Sequence, residues 1–197
     1  MPINRWGLLA LIAFGLWLMY WMHTDADGYL TILDDINLVI HEFGHPFFSI
    51  FGEEPQWWGG TWMELIVPAV CAGVFWYQRS ALSFGFAAVW FFENFHYIAR
   101  YVADARVQEL PLAGGGEHDW AWILGRHGWL QKDAAIADTL YKIGYVGIVA
   151  TLIFCVFIWL DQRGRAAEAP PRTVPPQATP PGTGQPDPSR APPSPYG

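Results

Sequence analysis

The sequence predicts an all-α membrane protein: a bundle of four to five transmembrane helices over residues 1–165, then a disordered Pro-rich tail over residues 166–197. Three observations carry this expectation. The 197-residue chain is 52% hydrophobic and 17% aromatic but only 15% charged, whereas soluble domains carry roughly 25% charged residues. At least four apolar runs approach the length of about 20 residues that a bilayer crossing requires. Finally, 11 of the 16 prolines lie after residue 165, in a stretch with no pattern that could bury a core.

The first apolar run, Trp6 to Met22, follows Arg5 and ends in Tyr20-Trp21-Met22-His23. Bulky aromatic residues there do not suit a cleavage site, so an uncleaved helix with an interfacial aromatic end is expected. Thr24 to Gly28 reads as a turn. Tyr29 to Phe51 is long and apolar, yet it contains Asp34, Asp35, His41, Glu42 and His45. Such groups are tolerated in lipid when they face a bundle interior, a cavity or a metal. Pro46 removes a helical donor and disfavours helix at His45, which predicts a kink or break just after this group. Gly52 to Gly60 reads as an interfacial loop, Trp62 to Tyr77 as a span and Ala81 to Ala103 as another whose second half is polar. Residues 105 to 139 read as a mixed extramembrane region. Lys142 to Leu160 is the last span. A re-entrant motif segment makes four spans and places Arg5, Arg79, Arg163 and Arg165 on one side, as the positive-inside rule favours; a crossing one makes five.

The net charge of −7 and the lack of a basic run exclude nucleic acid as a partner; membrane lipid is the expected one. Cys71 and Cys155 both lie in apolar stretches and no CxxC occurs, so neither a disulfide framework nor a cysteine metal site is expected.

The chemistry is concentrated in His41-Glu42-Phe43-Gly44-His45. On a helix, residues four apart share a face, so two imidazoles can hold one zinc ion. Glu42 beside them can take a proton from water as a general base. The structural alternative is a set of buried polar residues bonded to neighbouring helices.

A zinc site of this type needs a third protein ligand. Asp34, seven residues before His41, shares its face but lies about 10 Å up the axis; with Asp35 it reads as interfacial. His118 follows a glycine run that frees the loop, and Asp119 is placed to orient it, so His118 is the preferred third ligand. Asp104, at the end of a helical stripe with Glu93, Tyr97 and Arg100, is the alternative; Arg100 and Asp104 also read as an i, i+4 ion pair. Asn94, His96 and Tyr101 flank that stripe.

With these residues, the chain resembles the site-2 protease group of membrane zinc peptidases, most closely a branch of small bacterial members. The resemblance runs over roughly Tyr29 to Asp138. It rests on the His41–His45 motif with a glycine before the second histidine, on Tyr101 to Arg106, on Leu110-Pro111-Leu112 and on His118-Asp119-Trp120. It implies that His41 and His45 are zinc ligands, that Glu42 is the general base, and that the chain is a multi-pass protein of a bacterial inner membrane. It also implies a membrane-protein or peptide substrate. The group's usual third ligand is an Asp on a later membrane helix, in an Asn-Pro-x-Asp-Gly or Leu-Asp-Gly setting that this chain lacks. The expected function is therefore zinc-dependent peptide hydrolysis in or near the membrane. The alternatives are a membrane metal hydrolase of a non-peptide substrate and a non-catalytic membrane scaffold.

Overall fold

A computed structural model describes residues 3–24, 31–112 and 116–168. Among these residues six α-helices follow in order: α1 (Arg5–Thr24), α2 (Thr31–Ser49), α3 (Glu53–Tyr77), α4 (Ala81–Ala103), α5 (Asp119–Arg126) and α6 (Asp133–Glu168), with a 3-10 turn at Leu130–Lys132. Of the expected turn at 24–28, Thr24 ends α1 and residues 25–28 lie outside the described residues, as does all of the expected tail beyond residue 168; residues 166–168 continue α6.

Among the described residues only three helical stretches are long and apolar enough to cross a membrane: Arg5–Thr24, Glu53–Tyr77 and Leu130–Ala166. The chain is thus a multi-pass integral membrane protein, but the expected count of four to five such spans is corrected to three. The reason lies inside α2 and α4. Both are long enough, but α2 carries Asp34, Asp35, Asn37, His41, Glu42 and His45, and α4 carries Glu93, Asn94, His96 and Arg100.

Three polar residues of α2 face inward. Asp34, Asn37 and His41 are buried, while Ile32, Val39 and Phe43 are exposed. The spacing of three and four puts the buried set on one face. Polar inside and apolar outside is the arrangement expected of a helix in lipid. The protein should therefore sediment with membranes after lysis and come into solution only with detergent. Monodisperse protein in detergent-free buffer would contradict the fold.

Two local expectations are also corrected. The helix does not break at Pro46; α2 runs on to Ser49, whose hydroxyl donates to the Pro46 carbonyl at 2.8 Å. The segment from Gly52 to Gly60 is not a loop but the start of α3. Glu53 and Glu54 suit the positive end of the helix dipole, and Pro55 is tolerated in the first turn because its missing N–H has no helical partner there. Gly52, at φ 121°, supplies the backbone reversal between α2 and α3 that a side chain would resist.

The helices pack through small residues, as membrane helices do. Gly85 of α4 lies against Cys155 and Leu11, and Gly15 of α1 against Leu152. One apolar core joins α1, α4 and α6 around Leu18, Val89 and Ile148. A second gathers Ile98, Val102, Trp120, Ile123 and Leu124, and it seats α5 against α4. The rings of Trp57 and Trp122 stack at 4.9 Å, and those of Trp58 and Trp120 meet edge-on at 5.3 Å. These pairs clamp α5 onto the first turns of α3.

Candidate metal centre

His41 and His45 lie one helical turn apart on α2, with ring centroids 4.8 Å apart. Their neighbour is α3, which comes unusually close. A Cβ on Gly44 would strike the Gly59 backbone, and a Cβ on Gly60 would strike the His41 ring. Glycine at 44, 59 and 60 is therefore what lets the imidazole lie flat against α3.

Each ring is anchored to α3 through its Nδ1. For His41 the partner is Glu64 Oε1 at 2.8 Å; for His45 it is the Gln56 carbonyl at 2.9 Å. The Gln56 carbonyl can only accept, so Nδ1 of His45 carries the proton, and a Glu64 carboxylate selects the same tautomer of His41. Each Nε2 then points its lone pair away from α3, and both point at one atom. Asp119 Oδ2 lies 2.8 Å from Nε2 of His41 and 3.2 Å from Nε2 of His45. The ligating atoms of His41, His45 and Asp119 all fall within 4.8 Å of one another.

This donor set fits a metal ion. Three lone-pair atoms facing one another need positive charge between them. Protonating both Nε2 atoms would set two imidazolium rings side by side; one divalent cation satisfies all three donors at once. Tetrahedral zinc with ligands at about 2.0–2.1 Å separates its donor atoms by about 3.3–3.4 Å; the 3.2 Å from Oδ2 to His45 Nε2 matches that spacing, and the 2.8 Å to His41 Nε2 would open by about half an ångström to admit the ion.

Asp119 reaches this position because it opens α5, which the tryptophan clamp holds against α3. Its backbone N–H donates to the Tyr101 hydroxyl at 3.2 Å. The residues expected as third ligand stand elsewhere. His118 is the N-cap of α5: its Nδ1 accepts from the Ala121 N–H at 3.3 Å, and its ring stacks on Tyr101 at 4.2 Å. Its Nε2 lies 3.3 Å from Asp104 Oδ2, within ion-pair range but off the line of a hydrogen bond. Burial pulls the His118 imidazole below its ordinary range against the opposing pull of Asp104. Asp104 in turn accepts from the backbone N–H groups of Glu109 and Leu110 at 2.9 and 3.1 Å. Both side chains are thus engaged in shaping the approach to α5, and neither belongs to the cluster.

The rest of the polar stripe is also placed. Asp34 is buried rather than interfacial, and Arg100 NH1 approaches it at 3.8 Å; Asp35 is exposed. Glu93 accepts from Asn37 at 3.1 Å. The His96 ring is boxed between Tyr141 and Tyr145, at 4.2 and 4.7 Å.

Glu42 is exposed, unlike His41, and it borders two chambers. The first, of about 290 Å³, is lined by Leu38, Tyr97, Arg100, Leu110 and Pro111, with His41 at its wall. The second, of about 320 Å³, is lined by His45, Gln56, Trp57, Glu117 and Asp119. Glu42, Tyr101 and Leu112 are common to both, so the carboxylate stands where a largely apolar space meets a polar one.

Sequence reasoning missed Glu64 and Gln56. Glu64 had a signal: it is an acidic residue inside an apolar span, where a charged side chain costs about 2.5–3.5 kcal/mol on insertion scales and marks function by default. Gln56 acts through its carbonyl, which no side-chain pattern can announce. The chain matches no protein-family profile, no curated protein and no solved structure.

Proposed function

We propose that this protein is a membrane-embedded zinc metallopeptidase of the site-2 protease kind, resident in a bacterial inner membrane. His41, His45 and Asp119 are its metal ligands and Glu42 is its general base. The observation that carries the reading is the convergence of two Nε2 atoms on one Asp119 oxygen, one residue along the chain from an exposed glutamate. The order of the parts supports it as well. A His-Glu-x-x-His helix followed later in the chain by an aspartate ligand is the arrangement that the site-2 resemblance implies, although this aspartate heads a short helix.

When bound, zinc polarises a carbonyl and lowers the pKa of water towards ~7. The protein's own residues do the remainder. Nδ1 anchoring on α3 holds both imidazoles with Nε2 towards the ion. Tyr101 holds the backbone of Asp119. The largely apolar chamber receives apolar side chains of a peptide leaving the lipid. Glu42 accepts the proton of the attacking water and returns it to the departing amine nitrogen, so protons balance over the cleavage.

General-base catalysis is worth about 10²–10⁴-fold in rate. Glu42→Gln should therefore keep its zinc and lose peptide cleavage by that factor. Comparing the membrane and exported proteins of cells carrying wild type or Glu42→Gln should reveal polypeptides that stay uncut only in the variant. An unchanged protein set with altered lipids would replace the peptidase reading by that of a lipid hydrolase. No change in either would favour a scaffold.

A further inference from the structure

We infer that Glu64 is the positioning residue of the metal centre, acting through His41; the inference rests on the reading of His41 as a metal ligand. Glu64 is the twelfth of the 25 residues of α3, at the middle of a membrane-length helix, and only 1% of it is exposed. Its Oε1 meets Nδ1 of His41 at 2.8 Å. That ring edge faces away from Asp119, so Glu64 cannot join the ligands around Nε2.

What it does is fix the ring. An imidazole that can flip or exchange tautomers presents Nε2 as a lone-pair donor only part of the time. An acceptor fixed at Nδ1 selects the tautomer with Nε2 free and sets the ring plane. The neighbouring glycines make the arrangement specific. Gly60 leaves room for the ring alone, and Glu64 lies one turn further along the same helix, where its carboxyl meets the ring edge. The Gln56 carbonyl does the same for His45. One helix thus orients both histidines, and for His41 it does so with a side chain that can be changed.

The test is zinc affinity of the full-length protein in detergent, measured by chelator competition, beside the visible spectrum of the cobalt-substituted form. Glu64→Leu removes the acceptor and should weaken zinc by about 10–100-fold, the usual effect of losing such a partner. Its cobalt spectrum should also change, because the His41 ring is no longer held. Glu64→Gln keeps an acceptor oxygen at the same reach and should restore both readouts to near wild type. If the Leu variant does not fold, Glu64→Asp takes its place: it keeps a carboxylate but withdraws it by one methylene, and the same loss is expected. Wild-type affinity in the Leu or Asp variant would overturn the inference. So would equal loss in Gln and Leu with an unchanged cobalt spectrum, because that pattern belongs to packing alone. His41→Ala separates the two levels: if it keeps its zinc, the metal reading itself fails.

Discussion

Asp119→Ala is expected to weaken zinc binding by more than about 100-fold and to abolish hydrolysis. The substitution removes one of three donors, which must cost more than the 10–100-fold typical of losing an outer partner. It leaves the Nε2 atoms of His41 and His45 with an ion held by two protein ligands, one short of the three that catalytic zinc sites use. The adjacent residue provides the contrast. His118→Asn keeps an N-cap side chain for α5, since Asn caps as well as Asp or Ser, and it should hold zinc within a few-fold of wild type. His118→Ala gives up the cap and should lower stability by about 0.5–2 kcal/mol, with the zinc stoichiometry of the folded fraction unchanged. Metal analysis after gel filtration, with a thermal melt on the same samples, separates the two effects. Zinc lost from His118→Asn and retained in Asp119→Ala would reverse the assignment of the third ligand.

The second large effect is expected at a residue with no chemistry of its own. Gly60→Val should remove most of the bound zinc. A Cβ at this position collides with the His41 ring, and valine adds two methyl groups beyond it. The ring must leave the plane in which Nδ1 meets Glu64 and Nε2 meets Asp119. Overpacking of this kind costs about 1–3 kcal/mol, enough to move a side chain while the helices remain in the membrane. Gly73→Val, in the same α3 helix, is the control: a Cβ there meets nothing within 4 Å. It should leave zinc content and detergent behaviour as in wild type. If the two variants hold zinc alike, the contact between Gly60 and His41 is not what positions the ring.

The reach of sequence reasoning follows from the distance over which each feature acts. Helical spacing alone places His41 and His45 on one face with Glu42 beside them, because four residues make about one turn. The same local logic puts Asp34 on the face of His41, but it reads that residue as interfacial, because a polar residue in an apolar segment does not by itself say whether it is interfacial or buried; the structure buries it with Asn37. The span count failed for a related reason. Length and average apolarity make α2 and α4 look like crossings, but each turns a polar face inward, so neither is apolar enough to count.

The sequence by itself determined an all-α membrane protein and a His-Glu-x-x-His helix, because composition and periodicity are properties of the chain at short range. Tertiary structure alone decided which residue joins His41 and His45 in one cluster. His118 and Asp119 are adjacent, and a loop pattern offers either one. The choice depends on how α5 docks: Trp57 stacks on Trp122, the Tyr101 hydroxyl takes the Asp119 N–H, and His118 is turned aside to cap the helix. The same holds for Glu64, which meets His41 only because glycines at 44, 59 and 60 let two helix backbones approach closely. Contacts between residues 23 or 78 positions apart are set by packing, and no local spacing rule encodes them.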